Sequence, residues 1–141
     1  MVQMYVSPEV PRVPSDWLQL AREARSAAHS LTAPEHCRSC VSRCYYAAYL
    51  AVTGELLRQC RGITFAHGWG NPPHHELPRY IKNNLTGLPI STRRELSRDL
   101  RLLYKMREDA DYRPSATVDA DLATDARRVA HAVLGALGVQ P

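Results

Sequence analysis

Two short runs carry the groups best suited to chemistry. Arg43-Cys44-Tyr45-Tyr46-Ala47-Ala48-Tyr49-Leu50 and Arg107-Glu108-Asp109-Ala110-Asp111-Tyr112 each set an arginine close to tyrosines. An apolar helix needs no such groups to pack. A guanidinium presents five donors in a rigid fork that suits carboxylate or phosphate oxygens. Arg107 continues the stripe Leu96, Leu100, Leu103, where an unpaired charge is costly. Asp111, one helical turn on, is its natural partner. Two roles stay open for Arg107: a clasp to a carboxylate, or a site for an anion such as an RNA phosphate. Arg43 can stack on tyrosine or bond a helix end, or it can join Arg107 at one site. Tyr45, Tyr46 and Tyr112 read as structural or interface aromatics, because a tyrosine ordinarily titrates at about pH 10, far from neutral acid–base work.

Histidines offer the proton carrier that tyrosine does not. His67, His74 and His75 flank a loop that also holds Trp69 and Asn71. RNA self-cleavage needs a base for the 2′-hydroxyl and a cation for the phosphorane, and His67 or His75 beside Arg43 or Arg107 would supply both. Alternatively, these histidines cap a short helix or face solvent. Cys37, Cys40 and Cys44 fall on one side of a helix, with Cys60 remote. A structural zinc site takes its close cysteine pair from a turn, so they read as buried apolar thiols, and neither metal nor cofactor is expected. Arg94, Arg98, Arg101 and Lys105 recur at helical spacing and form one basic ridge. Such a ridge is a solvated face, a track for a nucleic-acid backbone, or a surface for an acidic protein.

The elements that hold these groups are helical. The spacing predicts a helix from Asp16 to about Ser30, capped by Ser15, with Trp17, Leu20, Ala21, Ala24, Ala27 and Ala28 on one side. Thr32 and Glu35 have capping-box spacing ahead of a long helix to about Arg58, striped by Val41, Tyr45, Ala48, Val52 and Leu56. A glycine-rich loop follows, then a short helix over about 75–85. Thr92 and Glu95 suggest a second box, opening a helix to about Ala110. Thr117 caps a last helix striped by Leu122, Ala126, Val129, Val133 and Leu137, which Gly138 ends. Residues 1–14, with three prolines, read as an extended arm, and 15–141 as a single domain. The fold class is therefore all-α: an up-and-down bundle of four main helices plus one short helix.

The bulk numbers agree. A chain of 141 residues is long enough to bury roughly 68–70% of its unfolded surface. Apolar content of 45% argues against global disorder. No run is long and apolar enough for a membrane span or a signal peptide, so a cytoplasmic protein is expected. The formal charge of +4 favours an anionic partner weakly.

The Arg-x-Tyr-Tyr-Ala stretch at Arg43 to Ala47, the histidine-containing loop and the late Arg-x-x-Ala-Asp-Tyr at Arg107 to Tyr112 together resemble the HEPN superfamily, most nearly its small UPF0332-type branch, over about residues 16–138. The resemblance implies a helical bundle that commonly forms homodimers. It also implies a link to RNA cleavage, to toxin–antitoxin or defence systems, or to a nucleotidyltransferase-like or antitoxin protein partner. Active HEPN ribonucleases carry a histidine a few residues after the late arginine. Here Asp111 and Tyr112 stand at those positions. The expectation therefore divides between a metal-independent endoribonuclease, with Arg43, Arg107, Asp111, His67 and His75 at its site, and a non-catalytic interaction module.

Overall fold

A computed structural model describes residues 15–139. The expected arm, 1–14, and the last two residues of the expected domain lie outside them, and so does the side chain of the expected cap Ser15. Five α-helices follow in order among the described residues: α1 (Ser15–Ser30), α2 (Cys37–Gln59), α3 (Leu77–Asn84), α4 (Ile90–Tyr112) and α5 (Ala120–Ala136). α2 is the central helix and packs on α1, α5 and α4, while α3 rests chiefly on α4. The architecture is the all-α bundle expected.

Small side chains let the helices approach. Ala21 and Ala28 of α1 and Ala47, Ala48 and Ala51 of α2 are fully buried. Leu96, Leu100 and Leu103 of α4 and Ala126, Val133 and Leu134 of α5 complete the core. Leu18, not Leu20, points inward from α1, and Leu20 is left half exposed. Among the described residues, one carboxylate is wholly buried. Glu55 accepts hydrogen bonds from Arg58 and from Gln59 Nε2 at 2.6 Å. Gln59 Oε1 in turn accepts the Gly87 N–H at 3.0 Å. A Cβ at position 87 would lie 2.9 Å from that oxygen, so a larger residue there would displace the Gln59 side chain.

Helix starts differ from the expected caps, and proline explains two of them. A 3-10 turn at Pro34–His36 precedes α2, and no side chain caps either element, so the Thr32–Glu35 box does not form. α4 starts at Ile90 behind Pro89, also without a side-chain cap, which puts Thr92 inside the helix. Pro34 stands in the first turn of its 3-10 element, where the fixed φ of proline is already helical, whereas Pro89 occupies the N-cap of α4 itself, at φ −57 and ψ 151, and has no side-chain acceptor to offer. The α5 cap is Asp119, whose carboxylate accepts from Leu122 N–H at 2.9 Å, not Thr117. The expected end holds. Gly138 adopts φ 79, with Val139 N–H bonded to Leu134 C=O and Gly138 N–H to Gly135 C=O, the pattern of a Schellman turn.

Candidate functional site

Helical spacing puts Tyr45, Tyr46 and Tyr49 of α2 on adjoining rows, and they face α4 where it presents Tyr104 and Arg107. Arg107 is 8% exposed. Its Nε donates to Asp111 Oδ2 at 3.1 Å, and one terminal nitrogen donates to the hydroxyls of Tyr46 (3.2 Å) and Tyr112 (3.0 Å). Its other terminal nitrogen lies 3.6 Å from Glu108. The guanidinium also sits 5.1 Å from the ring centre of Tyr112 and 5.5 Å from that of Tyr46, within cation–π range. Ser42 Oγ donates to the same Asp111 oxygen at 3.1 Å. The two sequence runs thus form one clasp between α2 and α4.

A residue outside both runs holds the clasp in register. Arg38, in the first turn of α2, donates to the carbonyls of Asp109, Ala110, Arg113, Pro114 and Ala116 at 2.6–3.1 Å. They lie at the C-terminus of α4 and in the turn beyond it, where Asp109 C=O also accepts the Arg113 N–H and Arg113 C=O the Ala116 N–H. A cation is favoured there by charge as well as by hydrogen bonding.

Beside the clasp opens a cavity of about 670 Å³, lined by Tyr46, Tyr49, Tyr104 and the loop from Ala66 to Glu76. Two buried hydroxyls tie this loop to α2. Tyr49 donates to Pro72 C=O at 2.7 Å, and Tyr45 lies 2.7 Å from His74 Nδ1. Burial pushes the Tyr49 hydroxyl up to about 12 and Tyr45 higher still, so both stay protonated. His74 packs on Tyr49 at 4.4 Å and on Tyr45 at 5.5 Å between ring centres. Burial, with the Arg107 charge, holds its imidazole below the ordinary value. At the rim, Trp69 is 51% exposed and His67 packs on it at 5.1 Å. His75 is open to solvent, with Glu76 at 3.6 Å.

The expected site residues therefore distribute over four places. Arg107, Asp111, Tyr46 and Tyr112 form the clasp, with Tyr45 beneath it. His67 and His75 line the cavity. Arg43 is exposed on the other side of Tyr46, in a groove shared with Ser42 and Asp111, and makes no hydrogen bond or ion pair among the described residues. Arg94, Arg98, Arg101 and Lys105 are all exposed along α4. Lys105 pairs with Asp109 at 3.7 Å, and the three arginines make no ion pair among the described residues. Cys37, Cys40 and Cys44 are buried free thiols, and burial pushes Cys44 up to about 12. Two functional neighbours escape a reading by motif. His74, not His67 or His75, is the imidazole set among the tyrosines, and no local signal separates it from the other two. Arg38 has no local signal.

Among the described residues, no helix is long and apolar enough to cross a membrane. A family model described as the HEPN domain matches residues 14–139. No curated protein and no solved structure matches the chain.

Proposed function

This chain belongs to the HEPN family, and from that membership we infer an RNA-associated protein that binds single-stranded RNA without cleaving it. The observation that carries this reading is the α4 ridge. Arg94, Arg98 and Arg101 stand exposed with no carboxylate paired to them among the described residues, which is what a phosphate backbone requires. Tyr104 lies one helical row from Arg101 and lines the aromatic cavity, so ridge and cavity adjoin. The functional unit in this reading is a homodimer in the cytoplasm, working within a toxin–antitoxin or defence system beside a protein partner such as a nucleotidyltransferase.

The binding-only reading rests on the state of Arg107. Its Nε and one terminal nitrogen are already bonded to Asp111, Tyr46 and Tyr112. A group that must meet a developing phosphorane charge needs free donors aimed at it. One observation favours the rival, a metal-independent endoribonuclease: His67 and His75 lie at the cavity rim, open to solvent. In that mechanism the 2′-hydroxyl would attack the adjacent phosphorus, the 5′-oxygen would leave, and a 2′,3′-cyclic phosphate would remain. Incubating end-labelled single-stranded RNA with the purified protein separates the readings. Retention of full-length RNA supports binding alone. Shortened products ending in cyclic phosphate, lost in His75→Gln or His67→Gln, would replace it with catalysis.

A further inference from the structure

Trp69 is half exposed at the mouth of a preformed cavity. We propose that this cavity holds one unstacked nucleobase, lying on Trp69 and accepting a hydrogen bond from His74 Nε2–H. The inference rests on the RNA-binding reading and deepens it.

Chemistry of the lining selects a base over a phosphate. The walls are rings and prolines: Trp69, Tyr46, Tyr49, Tyr104, Pro72 and Pro73. Glu76 also lines the cavity and is paired with Arg79, and among the described residues no Lys or Arg lines it to hold a phosphate. Every base has a π-face that an exposed indole can stack. His67 packs beside that indole at 5.1 Å between ring centres.

The donor follows from hydrogen-bond accounting. The Tyr45 hydroxyl is fully buried and its one hydrogen-bond partner among the described residues is His74 Nδ1 at 2.7 Å. If His74 donated there, the hydroxyl proton would be left buried and unsatisfied, at the cost of a desolvated donor. Tyr45 therefore donates, Nδ1 accepts, and the imidazole proton sits on Nε2. That N–H has no acceptor among the described residues, and His74 lines the cavity. The site offers an incoming base a donor fixed by its neighbours. The ridge beside it takes the flanking phosphates.

Abasic RNA separates base from backbone, because it keeps the phosphates and lacks the bases. Binding of the full-length chain to a short ribo-oligomer and to its abasic counterpart is compared in wild type, Trp69→Ala and Trp69→Phe. The base pocket predicts that wild type prefers the normal oligomer, that Trp69→Ala loses about 10-fold on it, that Trp69→Phe recovers much of the loss, and that none of the changes affects the abasic strand. Equal binding of the two strands, with the ridge still required, would overturn the pocket and leave RNA association standing. No binding of either strand would overturn both. Independently, nitrogen NMR of the imidazole should show a protonated Nε2 at His74 that becomes protonated at Nδ1 to a measurable degree in Tyr45→Phe. A protonated Nδ1 in the wild type would remove the proposed donor.

Discussion

At the scale of single residues, Arg107 and His74 carry the argument. Arg107 is a buried cation bonded to the Asp111 carboxylate and two phenols, with Glu108 nearby, and removing it deletes those bonds and leaves Asp111 with Ser42 alone among the described residues. Arg107→Ala should destabilise the fold by about 1–4 kcal/mol in urea unfolding. Arg107→Lys should recover little, since an ammonium cannot fork between Asp111 and the tyrosines. Unchanged stability would remove the clasp and return Arg107 to the role of a free phosphate ligand. His74 makes a pH prediction. Burial, then the charge of Arg107, depresses its folded-state value, with Glu108 opposing and His75 adding to the depression. Below the unfolded value of 6.5 the unfolded chain binds a proton that the folded chain refuses. Stability should therefore fall as pH drops through that value and level off once the folded imidazole also titrates. In His74→Gln this acid loss should shrink. An unchanged pH profile in the variant would assign the loss to other groups. The Arg107–Asp111 pairing is legible from the four-residue step alone. The place of His74 is not, because three histidines in one loop are equivalent until the loop's path over α2 is known.

At the scale of elements, the end of α4 depends on a side chain from another helix. Arg38 occupies carbonyls from Asp109 to Ala116. Arg38→Met keeps the aliphatic stem and deletes the charged fork. It should cost about 1.5–3 kcal/mol and speed amide hydrogen exchange at Tyr112, Arg113 and Ala116. Equal exchange in wild type and variant would contradict the capping role. This element also marks where sequence reading succeeds and fails. Apolar steps of three and four locate the five helices among the described residues, because burial of one face is a local pattern. Gly138 is legible as a stop because a left-handed residue is needed there. The hydroxyl caps at Thr32, Thr92 and Thr117 are misread, because prolines before α2 and α4 start those helices without a cap and Asp119 outcompetes its neighbour for α5. Arg38 is invisible, since its acceptors lie 71–78 residues away.

At the scale of the whole molecule, α2 is packed by α1, α5 and α4, while the row Arg43, Tyr46 and Leu50 stays at least partly open. A homodimer is consistent with that row and with the family. Sedimentation equilibrium at micromolar concentration should give about twice 15.8 kDa, and a strictly monomeric mass would reject it. The proposed RNA association rests not on the net charge of +4 but on the basic groups gathered on one face of α4. The most direct test of that claim is the salt dependence of binding to single-stranded RNA, read by fluorescence anisotropy in wild type and in a variant with Arg94, Arg98, Arg101 and Lys105 changed to Gln. If up to four phosphate contacts are lost, affinity should fall and the slope of log affinity against log salt should flatten by about 3. Equal affinity and equal slope in the two proteins would contradict the account.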